Sequence, residues 1–292
     1  MINYTLPDFT VNLGLHLFFV RLVRERPDWA REGVGVTSIY GCFPDCIMNG
    51  GRAYLRERAD AGTIDRTFAI LAEYGLTPRL TFTNTQPDEA ALADPYFNLI
   101  AGTAARYGGE AIVYQDKVGA YLREQYGMPL VLSTTREVAD ARTFNELAST
   151  YDTIVLSYNV HKDPALLGAL EHPEKAEIMV NEFCVPNCPH RGEHYAHHSA
   201  DQREGTLRPF PCRSNRPDFF AHAPGHPVQF TAEEVAEVAS RFQIPSFKIV
   251  GRGVAFQTVV EALVYYLLRP EYHEAARALL TREIQRRASP EL

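Results

Sequence analysis

Ala111-Ile112-Val113-Tyr114, then Val118-Gly119-Ala120-Tyr121-Leu122-Arg123-Glu124-Gln125-Tyr126, then Leu130-Val131-Leu132-Ser133 is the stretch that decides the fold. A short apolar run, a helical segment with apolar residues three and four apart, and a second apolar run make a strand–helix–strand unit, the hallmark of a parallel sheet with crossover helices. The same rhythm extends in both directions. Upstream, strands are expected at 9–13, 34–40 and 79–83, separated by helices running to about residue 25, then 64–74 and 96–107. Downstream, a helix at 139–149 leads to a strand at 153–157, a short helix at 166–170, and strands at 176–180 and 246–250. Two helices, 255–268 and 271–287, close the chain. Eight strands with helical connections describe a single (β/α)₈ barrel of TIM type over 1–292. The alternative is an open doubly wound sheet, which often carries a Gly-rich phosphate loop that this sequence lacks.

Size and composition agree with one large α/β domain: 292 residues, 46% hydrophobic and 22% charged. The run 13–20 is too short to cross a bilayer, contains His16, and lacks the flanks of a signal peptide, so it reads as a buried helix and the chain is expected in the cytoplasm. A formal net charge of −7 and no Lys/Arg-rich run argue against a nucleic-acid partner, whose phosphates demand a basic footprint.

The connection 181–245 breaks the rhythm. It is far longer than the others, and loops of that kind tend to be functional. It holds Cys184, Cys188 and Cys212, six histidines including His190, His194, His197, His198 and His222, and a proline-rich stretch. The remaining two of the five cysteines, Cys42 and Cys46, follow strand two. In a barrel both segments end on the C-terminal rim, where active sites form, so all five thiols are expected at one mouth. An odd number of cysteines without an export signal argues against a disulfide framework. Thiolates in fours hold zinc or an iron–sulfur cluster. A 4Fe–4S cluster on the three late cysteines plus Cys42 or Cys46 is the preferred reading, with a Cys₄ zinc site as the alternative. A radical-SAM C-x₃-C-x₂-C motif is excluded, because Met48 and Asn49 follow Cys46.

Other rim residues supply candidate chemistry. His190, His194 and His198 recur every four residues on a helix expected to start near Pro189, and His194 and Tyr195 are candidates for moving protons. Glu182 and Asp116 join them as candidate catalytic carboxylates. Asn84, Thr134 and Asn159 sit where they would orient a substrate. Arg52, Arg191 and Arg252, with Arg136 and Arg213, all fall in rim segments and point to a small anionic substrate, since guanidinium recognises carboxylate and phosphate bidentately. Asn49-Gly50-Gly51-Arg52 reads either as an anion cradle or as a tight turn.

Two segments carry a family resemblance. Ser246-Phe247-Lys248-Ile249-Val250-Gly251-Arg252 resembles the s-F-K-I-E-G-R signature of the collagenase-like U32 peptidases, with Val250 in place of the glutamate. Val180-Asn181-Glu182-Phe183-Cys184-Val185-Pro186-Asn187-Cys188-Pro189-His190-Arg191 is similar to that family's cysteine-bearing strand-seven segment, and the 41–52 loop resembles a related set of barrels. The resemblance implies a TIM barrel with an iron–sulfur centre, the fourth cysteine coming from an early strand, and an oxygen-independent hydroxylase or another oxygen- or sulfur-transfer oxidoreductase. The family label implies instead a peptidase or metal-dependent hydrolase, and some similar proteins work as paired subunits. A partner barrel or an electron donor, and a non-catalytic role within such a pair, follow as further expectations.

Overall fold

The computed structural model describes residues 1–212 and 225–288. Arg213 and His222 lie outside the described residues. Strands β1 (Ile2–Pro7), β2 (Val34–Gly41), β3 (Thr77–Phe82), β4 (Glu110–Val113), β5 (Leu130–Leu132), β6 (Thr153–Val155), β7 (Ala176–Met179) and β8 (Ser246–Lys248) run parallel, and β8 returns to pair with β1. The barrel is closed, as the strand–helix rhythm predicts. Around it run α1 (Leu13–Glu25), α2 (Ala61–Glu73), α3 (Glu89–Leu92), α4 (Pro95–Arg106), α5 (Asp116–Tyr126), α6 (Ala141–Leu147) and α7 (Pro164–Gly168). The chain then adds α8 (Arg191–Glu204), α9 (Ala232–Phe242), α10 (Phe256–Leu267) and α11 (His273–Ala288). No helix among the described residues is long and apolar enough to cross a membrane.

The first strand differs from expectation. Residues 9–13 are not β1; they are the turn into α1, and the sheet uses Ile2–Pro7 instead. The cause is Asp8, which takes a left-handed conformation (φ 65°) and accepts the backbone N–H of Thr10 and Val11 at 3.1 and 3.0 Å. That local hydrogen bonding competes with strand pairing. Phe9, apolar enough to pass for a strand residue, packs under the loop after β2 against Phe43 and Phe68.

Helix starts are set by carboxylates. Asp60, Asp94, Asp140 and Asp163 accept the first free N–H groups of α2, α4, α6 and α7. Thr231 and Glu234 form a reciprocal capping box on α9. With Val235 and Val238 buried in the main core, α9 is the barrel's own outer helix after β7; the added part of the 181–245 connection precedes it.

Two apolar layers result. Phe19, Phe68, Phe97, Phe144 and Phe247 fill the space between strands and helices, while Tyr40, Ile112, Val131, Val155 and Met179 belong to a second cluster. Lower in the barrel, charge replaces hydrocarbon. The Glu177 carboxylate, 0% exposed, meets the Arg79 guanidinium, accepts Thr5 Oγ1 at 2.9 Å, and lies 3.7 Å from Lys248 Nζ. Arg79 Nε also reaches Glu110 at 2.6 Å. Burial alone pushes the Glu177 carboxyl up, and Arg79 and Lys248 more than offset it, so it is held below the ordinary carboxylate range.

Candidate functional site

At the C-terminal ends of the strands lies a cavity of about 400 Å³, a size that accommodates a small molecule. Its walls come from β2, β3, β8 and the stretch after β7, and α8 lies across it. The helix is anchored there by polar ties. Asn84 Nδ2 donates to the carbonyls of Ile47 and Ser199 at 3.0 and 3.1 Å, Ser199 Oγ accepts the Thr85 N–H at 3.0 Å, and Gln202 Oε1 accepts the Tyr54 N–H at 2.6 Å. Asn84, expected to orient substrate, therefore fastens α8 to the β2 and β3 loops.

The loop after β2 presses backbone against backbone. A Cβ on Gly50 would lie 2.2 Å from the Thr83 carbonyl oxygen, and Gly51 adopts φ 79°. The glycine pair thus serves a close approach and a left-handed turn. This packing delivers Arg52 and Arg252 to one place. Arg252 donates to Thr81 Oγ1 at 2.8 Å, to Asn49 Oδ1 at 3.1 Å and to the Gly50 carbonyl at 2.8 Å, all neutral acceptors. Arg52 extends over Gly253, where any Cβ would lie 2.6 Å from its Nη1, so the glycine leaves its room. Burial and the neighbouring Arg252 charge lower the Arg52 pKa. Among the described residues neither guanidinium has an ion pair with a carboxylate.

Arg191 is the contrast. Its guanidinium reaches Glu182 at 3.0 Å and Glu137 at 3.2 Å, and lies over the rings of Tyr158 and Tyr195 at 4.3 and 5.1 Å. Glu182 in turn accepts the backbone N–H of Phe183 and Cys184 at 2.8 and 3.0 Å. Both residues line the cavity, with their charges mutually balanced.

Helix α8 begins at Arg191, two residues later than expected, with His190 as its N-cap residue. His190 is turned away to Glu193 at 3.0 Å, but His194 and His198 line the cavity with their Nε2 atoms 2.7 Å apart, so one ring donates and the other accepts. Partial burial and nearby cations lower both pKa values, that of His198 to about 4. His197 instead faces Asp201 at 3.3 Å and the Arg208 carbonyl at 2.9 Å. Asp201 also binds Arg208 Nε at 2.6 Å and Thr206 Oγ1 at 2.9 Å, which ties down the strap that brings Phe210 and Cys212 to the cavity. Phe210 stacks on His194 at 4.7 Å. Tyr195 is on the wall too, its phenol raised to about 12 by burial.

Two further expected residues take other places. Asp116 binds Arg136 at 2.7 Å and the Tyr151 hydroxyl at 2.6 Å, away from the cavity lining. Asn159 is exposed and accepts the Asn187 N–H at 2.8 Å, holding the loop that carries Cys188. Thr134 does line the cavity, and among the described residues its buried hydroxyl has no hydrogen-bond partner. Sequence reasoning missed Lys248, Thr81 and Thr83, all on the lining. The available signal was a charge within a strand: a lysine in the middle of an apolar run must point into the barrel.

The cysteines divide. Cys42 and Cys46 are 2% and 0% exposed within the main apolar core, hydrogen-bonded to each other and absent from the cavity lining. Burial and the neighbouring Cys46 push the Cys42 thiol well up. Cys184 and Cys212 line the cavity, and the Cys184 thiol, raised by burial, meets Tyr158 and Arg191. Cys188 stands outside the lining, its backbone N–H on the Tyr158 hydroxyl at 3.3 Å. Among the described residues the one set of three potential metal donors within 4.8 Å is His197, His198 and Asp201, with no cysteine in it. Among the described residues the thiols thus fall into the apolar core (Cys42 and Cys46), the cavity wall (Cys184 and Cys212) and the loop beside it (Cys188).

No protein-family model matches the chain, and no curated protein does. The architecture is similar to a U32 peptidase. That structure, the U32 peptidase Mk0906, superposes with a TM-score of 0.53 at 14% identity, covering 87% of this chain and 94% of the other. At that identity the likeness concerns the fold. The Bacillus cereus spore cortex-lytic enzyme SleL superposes more loosely, with a TM-score of 0.43 at 11% identity over 91% of this chain and 74% of the other. Val250, where the U32 signature carries glutamate, lines the cavity and makes that part of the wall apolar.

Proposed function

We propose that the protein is an enzyme whose barrel mouth binds a small carboxylate- or phosphate-bearing substrate on Arg52 and Arg252, and that it works hydrolytically, with the His194–His198 pair moving the proton. The carrying observation is the two adjacent guanidiniums without a carboxylate. Two cations packed together in a partly buried wall repel each other, and an anion between them relieves both the repulsion and the desolvation. Both guanidiniums are planar donors suited to a carboxylate or phosphate, and the remaining N–H groups of Arg52 have no protein acceptor among the described residues.

The histidine pair holds one proton between two nitrogens and stays neutral at pH 7, which is the form a general base requires. With His194 donating its Nε2–H to His198, the lone pair on His194 Nδ1 is free to take the proton of a water or substrate group in the cavity. Tyr195 and Thr134 offer hydroxyls on the same wall. Hydrolysis of a peptide-type bond is preferred over hydroxylation because this acid–base set lines the cavity beside the paired guanidiniums. The similarity in fold to a U32 peptidase lends the hydrolytic reading further support. Cys184 and Cys212 sharing the wall favour one second reading, a thiolate-held iron–sulfur centre serving a redox reaction.

The test is turnover of short peptides and N-acyl amino acids with free C-terminal carboxylates. Arg52→Gln is expected to raise KM, and His198→Gln to lower kcat by roughly 10²–10⁴-fold. Iron and sulfide analysis of anaerobically prepared protein separates the readings: stoichiometric cluster with no peptide or amide turnover would transfer the site to the redox reaction.

A further inference from the structure

The barrel floor holds a group that hydrolysis does not use. Lysine is scarce in this chain: Lys117, Lys162, Lys175 and Lys248 stand against twenty-five arginines among 29 basic residues. Three of the four have structural or solvent-exposed settings. Lys117 is exposed, Lys162 binds Glu234 at 2.9 Å, and Lys175 donates to the carbonyls of Ala148 and Tyr151. Lys248 alone among them lines the cavity.

Its surroundings leave the amine under-bound. The ammonium lies 4.1 Å from the centre of the Tyr40 ring, and the nearest carboxylate, Glu177, is 3.7 Å away and mainly engaged by Arg79. Arg79 on the floor and Arg252 at the mouth add positive charge on two sides. A cation among cations in a desolvated pocket sheds its proton readily, and the free amine is a nucleophile, which a guanidinium never is.

We propose that Lys248 is a carbonyl-capturing amine, forming an imine with a small 2-oxo or aldehyde acid whose carboxylate rests on Arg52 and Arg252. The proposal rests on the anion reading of that arginine pair and adds a covalent site to it. In the step, the Nζ lone pair forms a C–N bond to the carbonyl carbon and the carbonyl π pair takes a proton. The carbinolamine then loses its oxygen as water, the two amine protons leave, and a C=N bond results. Nothing is oxidised or reduced. Burial and the neighbouring charges bring the Lys248 pKa down to about 8, so a useful fraction is unprotonated near neutrality, where an ordinary lysine has almost none.

Glyoxylate with cyanoborohydride provides the probe, because the reductant delivers hydride to the imine and fixes one carboxymethyl group on the amine. Peptide mapping of the whole chain is expected to find Lys248 modified about tenfold faster than Lys117, Lys162 or Lys175, with malonate protecting it. The same mapping with formaldehyde, which has no carboxylate, is expected to show Lys248 reacting without malonate-sensitive preference for the acid, and Arg52→Gln is expected to remove the glyoxylate advantage alone. Lys248→Met is expected to abolish the fast label. Malonate protection in the unmodified protein keeps the test valid if that variant does not fold. Lys248 no faster than Lys117 with either carbonyl overturns the proposal, and malonate binding followed separately by calorimetry then shows whether the arginine pair still holds an anion. Fast labelling by formaldehyde without any glyoxylate preference overturns the carboxylate half of the proposal and the anion reading together.

Discussion

The floor and the mouth of the barrel are built from the same residue types and end in opposite states. On the floor, Arg79 is closed by Glu177 and Glu110, and Thr5 joins the same network. At the mouth, Arg52 and Arg252 stand side by side, and among the described residues neither has an ion pair with a carboxylate. Arg191 marks the boundary, since it lines the cavity yet carries its own two carboxylates. A guanidinium whose charge the protein balances holds the fold together, whereas one left unbalanced in a pocket is held for a ligand. The largest break in this comparison is Glu177→Ala. Removing one buried carboxylate leaves Lys248 without its nearest counter-charge and Arg79 with Glu110 alone, and loss of a buried partner costs about 3–5 kcal/mol. Urea unfolding should show that loss; a change below 1 kcal/mol would mean that the floor network does not support the barrel.

Acid separates buried wall from open mouth in a second way. His16 is fully buried with its ring on the Pro7 carbonyl, and burial lowers its pKa to about 4; His161, also buried, falls to about 3. In the unfolded chain both titrate near the ordinary histidine value of about 6.5. Between those values the unfolded state binds more protons than the folded one. Stability is therefore intact above about pH 6.5 and is lost as pH falls towards 4, by about 3 kcal/mol for His16. His16→Gln should flatten that slope. An unchanged acid limb would show that the ring is not held neutral.

The third break is made at the mouth. Arg252→Gln should weaken binding of malonate or inorganic phosphate at least tenfold, because half of the paired charge is gone. Its effect on stability should be smaller than that of Glu177→Ala, since the hydrogen bonds lost go to neutral acceptors and the repulsion with Arg52 is relieved. Calorimetric titration and urea unfolding of the same sample check both. Glu177→Ala and Arg252→Gln thus predict opposite patterns, a loss mainly of stability and a loss mainly of affinity, from two charged residues of one barrel.

Much of the barrel is legible in the sequence because apolar period and spacing report what is buried. The unit at 111–133 reappears as β4, α5 and β5 with ends shifted by a residue or two. β1 was hidden because its signal depends on one aspartate turning the chain left-handed, a local hydrogen-bond effect that hydrophobicity does not carry. The rim rule also finds Arg52, Glu182, Arg191, His194, Tyr195 and Arg252, which all line the cavity. It cannot tell which polar residue at a strand end faces inward: Asn84, Asp116 and Asn159 satisfy the same rule and bind backbone or neighbouring charges instead. Lys248 escapes it because the residues just past the strands attract attention while those inside them do not. Nor can spacing place Cys42 and Cys46, whose C-x₃-C pattern is the same whether the thiols reach the mouth or sink into the core.

The smallest expected effect is at Gly51, and it sharpens the comparison most finely. Its φ of 79° is open to glycine and strained for any other residue, so Gly51→Ala should cost about 1 kcal/mol of stability. The added methyl would also stand 3.0 Å from Arg252 Nη2, the nitrogen that donates to the Gly50 carbonyl. Pushing that nitrogen aside leaves the charge in the cavity but spoils its alignment with Arg52. Malonate affinity should therefore fall severalfold, less than in Arg252→Gln, while a neutral ligand of the same size is unaffected. Gly50→Ala meets backbone at 2.2 Å and should damage stability and affinity together. If Gly51→Ala binds malonate as the unmodified chain does, the geometry of the two guanidiniums is irrelevant and only their summed charge attracts the anion.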